Sequence, residues 1–550
     1  MKLPSASIQP TGSSGLWLAV LGYGIALAVL MPLVAVAVAA FAGDLQTLTH
    51  LWETVLPRYM RTTAILAASV AVGTGIIGAG TAWLVTTCDF PGRRVLDVAL
   101  VLPLAFPAYV VAYAYTDLLD HPGAVQTLLR QMTGWGPREY WFPEIRSTGG
   151  AAAMLVLVLY PYVYLLARAA FLGQGARPFV IARTLGIGAG GAFFRVALPM
   201  ARPSIAAGML LTVMETIADY GTVSYFGVQS FANGIYQSWF SLADRAAAAQ
   251  LALGLLAIAL LLAWLERRSR GAAQYYSHTA AFARVSLTGW RAATASTACA
   301  LPVLFGAAVP GLTLATMAHG AGQSPFSARY LEFATNSLTL ATIAALVTVA
   351  AAIAVSYRAK LDPGPMSRAA TQIGRIGYAV PGGVIAVGLL VPAAAFDNAL
   401  DAAMEARFGI STGLLVTGSI WLMIAAYMIR FLAAALGAYE GGQAMMNPNI
   451  GAAARSLGKG PYTVLARIHL PTMAPSLLTA LLIVFIDTMK ELPATLILRP
   501  FDFDTLAVQA HRLAADERLD GAAVPSLAIV AVGLLPVLAL ILRLGGDRSR

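Results

Sequence analysis

Hydrophobic positions in this chain neither alternate nor cluster in short amphipathic blocks. They run on for about twenty residues or more, with the charges gathered in the gaps between runs. A run of that length forms a helix long enough to cross the apolar core of a bilayer, about 30 Å. Read this way, the pattern predicts helices near 16–42, 62–87, 95–118, 148–173, 203–227 and 247–265. A second set is predicted near 293–317, 334–357, 373–396, 411–436, 475–497 and 524–544. The expected fold class is therefore an all-α integral membrane protein of about twelve transmembrane helices. The first run is too long for the apolar core of a secretory leader, and only Lys2 precedes it as a cation, so a retained first helix is expected.

Composition agrees with the pattern. Hydrophobic residues make up 58% of the chain and charged residues 11%, against about 25% charged in a soluble domain. The net charge of +10 could point to nucleic acid, but no basic block with interleaved aromatics exists to bind it. The basic residues lie mostly in loops that become cytoplasmic if the N-terminus is inside, so N- and C-termini are both expected in the cytoplasm. Cys88 and Cys299 fall near cytoplasmic helix ends, where a structural disulfide is not expected.

A shift of 272 positions aligns the two halves. Arg183, Leu185, Gly186, Gly188, Arg195, Leu198, Pro199, Pro203 and Ser204 fall on Arg455, Leu457, Gly458, Gly460, Arg467, Leu470, Pro471, Pro475 and Ser476. In the same register Glu215 falls on Asp487 and Asp219 on Glu491. A chance match of apolar helices would align Leu with Ala, not this set. The layout predicted is one six-helix unit over 1–265, a cytoplasmic linker over 266–291 and a second unit over 292–550. With an even number of spans each, both units share one orientation, so a pseudo-twofold axis along the membrane normal and a pathway between the halves are expected.

The loop before the fifth helix of each unit reads Ala182-Arg183-Thr184-Leu185-Gly186 and later Leu198-Pro199; its counterpart reads Ala454-Arg455-Ser456-Leu457-Gly458 and later Leu470-Pro471. Gly permits a sharp turn and close backbone approach, and Pro suits the start of the following helix. This loop resembles the EAA loop of permease subunits from binding-protein-dependent ABC importers, although the Glu of that pattern is Val180 in one copy and Ala452 in the other. The resemblance implies two six-helix type I permease units and a coupling role for Ala182, Arg183, Gly186, Leu198, Pro199, Ala454, Arg455, Gly458, Leu470 and Pro471. It also implies as partners two ATP-binding subunits and an external solute-binding protein, and an inner-membrane location. Gly186, Gly188 and Gly191 spell a dinucleotide-type G-x-G-x-x-G but lack the strand before it, and no Walker A sequence occurs. No cofactor is expected in this chain; ATP and magnesium would sit on the partner subunits. The chain is read as a transport subunit and not an enzyme.

Four acids stand within predicted spans. Glu215 and Asp219 lie four residues apart, which on a continuous helix places them on one face about 18 Å beyond Pro203. Asp487 and Glu491 repeat the spacing. A carboxylate at mid-membrane costs about 2.5–3.5 kcal/mol on insertion scales, so these four are expected to face a pathway or each other. Structural pairing, with Lys490 neutralising one, is the alternative. The surrounding Met214-Glu215-Thr216-Ile217-Ala218-Asp219-Tyr220-Gly221-Thr222-Val223 and Lys490-Glu491-Leu492-Pro493-Ala494-Thr495 are similar to the ferric-iron branch of the permeases. That resemblance implies ferric iron as cargo, with Glu215, Asp219, Tyr220, Asp487 and Glu491 along its path and transient iron on the four acids. Thiamine, polyamine and phosphonate permeases are related alternatives, and a proton-coupled secondary transporter using the same acids is a reading of another class. Hard cations favour oxygen ligands, which suits the ferric reading. His121 and His511 are expected in external loops, without ligand-spaced neighbours. Tyr236 and Trp239 read as interfacial anchors. Asp502, Asp504, Asp516, Glu517 and Asp520 are either a contact for the binding protein or a solvated loop.

Overall fold

The computed structural model describes residues 13–137, 139–174, 184, 188–270, 284–321, 327–444, 446–447 and 449–546. Among them nine helices are long and apolar enough to cross a membrane, and the number is eleven when each of two sharply bent helix pairs is counted as one span. The last predicted run lies in the helix Leu519–Gly546, so all twelve runs are helical.

The bends have local causes. The third span breaks into Arg93–Ala99, a tight turn over Leu102–Ala105 and Ala108–Leu119, with Pro103 and Pro107 in the break and a 94° change of direction. The corresponding span of the second repeat breaks at Val380-Pro381, between Pro365–Ile376 and Gly382–Phe408. Proline removes a backbone donor and disfavours helix in the residue before it, so both breaks follow from sequence. The run near 411–436 starts later than expected, at Ile420. Its first residues form a loop held by two acids: Asp397 accepts from the amides of Val416 and Thr417, and Asp401 from those of Thr412 and Gly413.

The chain forms two compact units, and neither coincides with a sequence repeat. One contains 1–50, 235–260 and 331–508; the other contains 51–234, 261–330 and 509–550. Each repeat thus keeps its central helices but lends its first and last to the other unit. Within the first unit Ser13–Ala42 packs on Gly382–Phe408 and Pro365–Ile376. In the second, Val309–Gly320 packs on Leu519–Gly546 and on Ala108–Leu119. Equivalent helices are exchanged in both directions.

Packing relies on small side chains, because lipid is as apolar as leucine and helices associate through close backbone approach. A Cβ on Gly78 would lie 2.7 Å from Val163 Cβ and 2.8 Å from the Tyr164 nitrogen, and one on Gly208 would lie 2.9 Å from Val163 Cα. In the other unit a Cβ on Gly388 would meet the Pro32 carbonyl oxygen at 2.2 Å. Along Ser13–Ala42, Ala26, Val29, Val36 and Ala40 are buried while Trp17, Leu27, Val38 and Phe41 are exposed, the inverse of a helix in water.

Each unit ties its broken span to the next helix by an ion pair, with opposite polarity. Arg168 donates to both carboxylate oxygens of the buried Asp97, at 2.6 and 2.9 Å, and the Tyr164 hydroxyl joins at 2.7 Å. In the other unit Arg375 donates to Glu440, which occupies the position matching Arg168. Cys88 and Cys299 are free thiols.

Candidate functional site

The coupling-loop residues Ala182, Arg183 and Gly186 lie outside the described residues. Their counterparts are visible in part. The helix Asn449–Ser456 contains Ala454 and Arg455 and ends at Gly458, whose φ of +74° is the left-handed conformation that closes helices and that a Cβ disfavours. Lys459 donates its amide to the Ala454 carbonyl across this turn. A second helix opens at Pro461, whose carbonyl accepts from Tyr357.

The Leu-Pro pairs do not start helices, as the sequence suggested; the helix runs into them through one widened turn. Phe193–Ala197 and Leu465–His469 are π-helical, in the same register of the two repeats, and the amides of Leu198 and Leu470 reach back to Phe193 and Leu465. A proline ring clashes with the carbonyl four residues earlier in an α-helix, here Arg195 and Arg467, and the wider turn relieves that contact. In the first repeat the helix continues to Ala218; in the second it bends by 78° at Met473.

The fifth helices do not run through the acids. One ends at Ala218, with Asp219 extended (ψ 128°), and a short helix restarts at Gly221–Tyr225. The other ends at Met489, and a short helix restarts at Pro493–Leu498. Glu215 and Asp219 therefore do not share a face of one helix, nor do Asp487 and Glu491, because the chain changes course between them. The acid at each break caps the helix beyond it. Asp219 Oδ1 accepts from the amides of Thr222 and Val223, at 3.0 and 3.2 Å, and Oδ2 from the Thr222 hydroxyl at 3.1 Å. Glu491 accepts from the amides of Ala494 and Thr495, at 3.0 and 3.1 Å, and from the Thr495 hydroxyl at 2.8 Å. In both repeats the acid reaches amides three and four residues ahead, satisfying donors that a helix start in an apolar medium cannot leave open.

Charge compensation differs between the repeats. Lys490 lies 2.9 Å from Asp487, as the pairing alternative anticipated. Arg430, well inside the helix Ile420–Ala444, lies 3.7 Å from Glu491. Sequence reading missed Arg430 as an intramembrane cation; its signal was a lone Arg amid an apolar run, which is itself a functional pointer. Among the described residues no basic side chain forms an ion pair with Glu215 or Asp219. These belong to the other compact unit from Asp487 and Glu491.

Tyr220, half-buried, packs its ring 5.6 Å from that of His511. His511 is not in an exposed loop. It lies in the helix Leu506–Ala515, 8% exposed, with Nδ1 3.1 Å from the hydroxyl of the fully buried Tyr113. Burial pushes the imidazole down to about 4, so the ring is neutral at physiological pH. Tyr113 in turn stacks edge-on against Tyr225 at 4.7 Å, and Arg146 lies over the Tyr225 ring at 5.2 Å. Arg146 bonds Glu517 at 2.5 and 2.7 Å and Asp120 at 3.1 Å. Glu517 is thus engaged within the protein. Tyr236 is likewise buried, its hydroxyl donating to the Pro493 carbonyl, and is no interfacial anchor. His121 is exposed. No group of three His, Cys, Asp or Glu able to hold a metal occurs among the described residues.

Residues 71–270 match the family described as binding-protein-dependent transport system inner membrane component. Over 95% of its length the chain is 25% identical to the Fe(3+)-transport system permease protein FbpB 2 of Haemophilus influenzae, covering 97% of that protein. It is 29% identical to the molybdenum transport system permease protein ModB of Escherichia coli over 34% of this chain and 84% of that one. With the sulfate transport system permease protein CysW of Escherichia coli it shares 28% identity over 36% of this chain and 65% of that one.

Proposed function

We propose, for a chain that belongs to the binding-protein-dependent ABC permeases and is a multi-pass inner-membrane transport component, that its cargo is ferric iron. In this reading an external binding protein delivers the iron and two separate ATPase subunits, carrying ATP and magnesium, drive its release into the cytoplasm. The loops around Gly186 and Gly458 would dock on those subunits, with both termini on the same side.

Iron is favoured over the oxyanions named for shorter relatives by one observation. Glu215 and Asp219 stand where no basic side chain among the described residues pairs with them. Unmatched carboxylates repel molybdate and sulfate but lower the barrier for a trivalent cation that has shed water. The relative similar along nearly the whole chain is itself an iron permease by name.

The test is uptake by proteoliposomes holding the complete complex, offered ferric iron, molybdate, sulfate, thiamine, a polyamine and a phosphonate, each with its binding protein. ATP-dependent uptake of ferric iron alone is expected. Uptake of an oxyanion in its place would overturn the cargo. Uptake by the chain without ATPase subunits, driven by a proton gradient, would overturn the ATP-driven reading.

A further inference from the structure

The third and fourth spans of the first repeat are joined by residues 120–147, which the apolar runs predict as a loop. One span, Thr148–Gln174, separates this segment from the coupling loop, so it lies on the opposite face of the membrane. It holds a helix, Ala124–Thr133, a short turn after Ala108–Leu119. Gly123 keeps that turn tight: a Cβ there would lie 2.6 Å from the Leu118 carbonyl oxygen. The helix is therefore held at the end of the span.

Its polar side is turned inward. Gln126 is buried, its amide group donating to the Leu119 carbonyl at 2.9 Å and accepting from the Tyr140 hydroxyl at 2.7 Å. Arg130, one turn on, is the only charged residue of the helix. It donates to the Tyr140 hydroxyl at 2.9 Å and to the His121 carbonyl and the Thr127 hydroxyl at 3.0 Å.

What remains outside is apolar. Val125, Leu128 and Met132, at i, i+3 and i+7 of one face, are exposed, Met132 by 78%. The other exposed positions, Ala124, Gln131 and Thr133, carry no charge. Beyond the helix stand Trp135, stacked on Tyr140, and Trp141, 86% exposed. Single exposed apolar side chains are ordinary, but a stripe backed by buried polar groups is a water-soluble helix turned inside out. The span Ser13–Ala42 shows the same inversion. The second repeat shows it too between its own third and fourth spans, where Asp397 and Asp401 turn to loop amides while Phe396, Leu414, Leu415 and Trp421 are exposed.

We propose that Ala124–Thr133 lies in the bilayer interface, with Val125, Leu128 and Met132 against acyl chains and Trp135 and Trp141 among the headgroups. The partner of this surface is phospholipid, whatever the cargo. Indole joins an apolar body to one N–H donor, and tryptophan concentrates where chains meet headgroups. Glu139 and Glu144, exposed beyond Trp135, bracket Trp141 and fit the wet side of that boundary. A binding protein would approach the same face, but it docks and leaves, and a surface that returns to water keeps a polar rim. Here the one charge of the helix is withdrawn from the surface. Only an apolar phase that is always present favours that arrangement. The helix thus anchors in the interface the half of the broken third span that follows Pro107.

The experiment uses the full chain, assembled with its ATPase subunits, in lipid nanodiscs. Nitroxides are attached at Leu128→Cys, Met132→Cys and Glu144→Cys, one at a time, after Cys88→Ala and Cys299→Ala. At 128 and 132 the label should collide with oxygen, which partitions into acyl chains, and lose its collisions with a nickel chelate confined to water. At 144 the chelate should collide freely. Free nickel access at 128 and 132 overturns the proposal. So does nickel access that disappears only when loaded binding protein is added, which would make the stripe a protein-docking surface. A second measurement keeps the native cysteines. Phospholipids brominated high on their chains should quench part of the emission of the nine tryptophans. Combining Trp135→Phe with Trp141→Phe should remove some of that part and leave the iodide-quenched part unchanged. Loss of iodide-quenched emission instead would put both indoles in water and overturn the interface.

Discussion

The Arg430 guanidinium lies 3.7 Å from the Glu491 carboxylate, joining a transmembrane helix to the break in another within one compact unit. Glu491 is 5% exposed, so the pair sits where an unmatched charge is costly. Replacing one partner of such a buried pair typically destabilises by about 3–5 kcal/mol. Arg430→Met should therefore lower the thermal midpoint and the fraction of monodisperse protein. Adding Glu491→Gln, which removes the charge and keeps one of the two capping oxygens, should recover part of the loss. A double variant no better than the single one would exclude the charge pairing.

Asp219 should separate its capping role from its charge. Asp219→Asn retains an acceptor for the Thr222 and Val223 amides and should fold nearly as well as the parent. Asp219→Ala removes the cap, worth about 0.5–2 kcal/mol. If both variants assemble but both lose iron uptake, the charge is what transport needs. If Asn restores full uptake, the residue is a cap alone.

Arg146 and Glu517 predict a dependence on pH. The bond from Arg146 holds the Glu517 carboxyl below its ordinary value. A carboxyl depressed in the folded state contributes stability above its ordinary range and loses it as pH falls through the depressed value. The carboxylate is more than half exposed, so the effect is small and screened by salt. Thermal midpoints measured from neutral to acid pH should fall less steeply in Glu517→Gln than in the parent. Equal slopes would show that the pair contributes nothing.

Gly458 closes the helix Asn449–Ser456 at a φ of +74°. Left-handed backbone costs a residue with a Cβ about 1–2 kcal/mol. Gly458→Val should shift that turn and uncouple ATP hydrolysis from transport while the spans remain inserted. The measurement is ATPase stimulation by loaded binding protein alongside uptake. Full stimulation together with full uptake would remove the coupling role.

Much of this molecule was legible along the chain. Runs of apolar residues determine spans, because a bilayer leaves backbone groups no partner except their own helix. The duplication was legible too, but the widened turns preceding Pro199 and Pro471 were not, since those pairs read as helix starts. Even the breaks left a trace: Glu491 stands two residues before Pro493, an acid just ahead of a helix-starting proline.

Tertiary structure alone decided the rest. Glu215 and Asp219 look like one helical face until the amides of Thr222 and Val223 claim Asp219 and end the helix. Nothing near His511 in sequence predicts its burial, since Tyr113 is 398 residues away. Arg430 and Glu491 are each conspicuous alone, but their pairing depends on how two helices cross. The exchange of first and last helices between repeats is likewise a matter of packing. A helix in lipid has no local preference for one apolar neighbour over another, so the choice rests with the small residues, such as Gly388 against Pro32, that let two backbones meet.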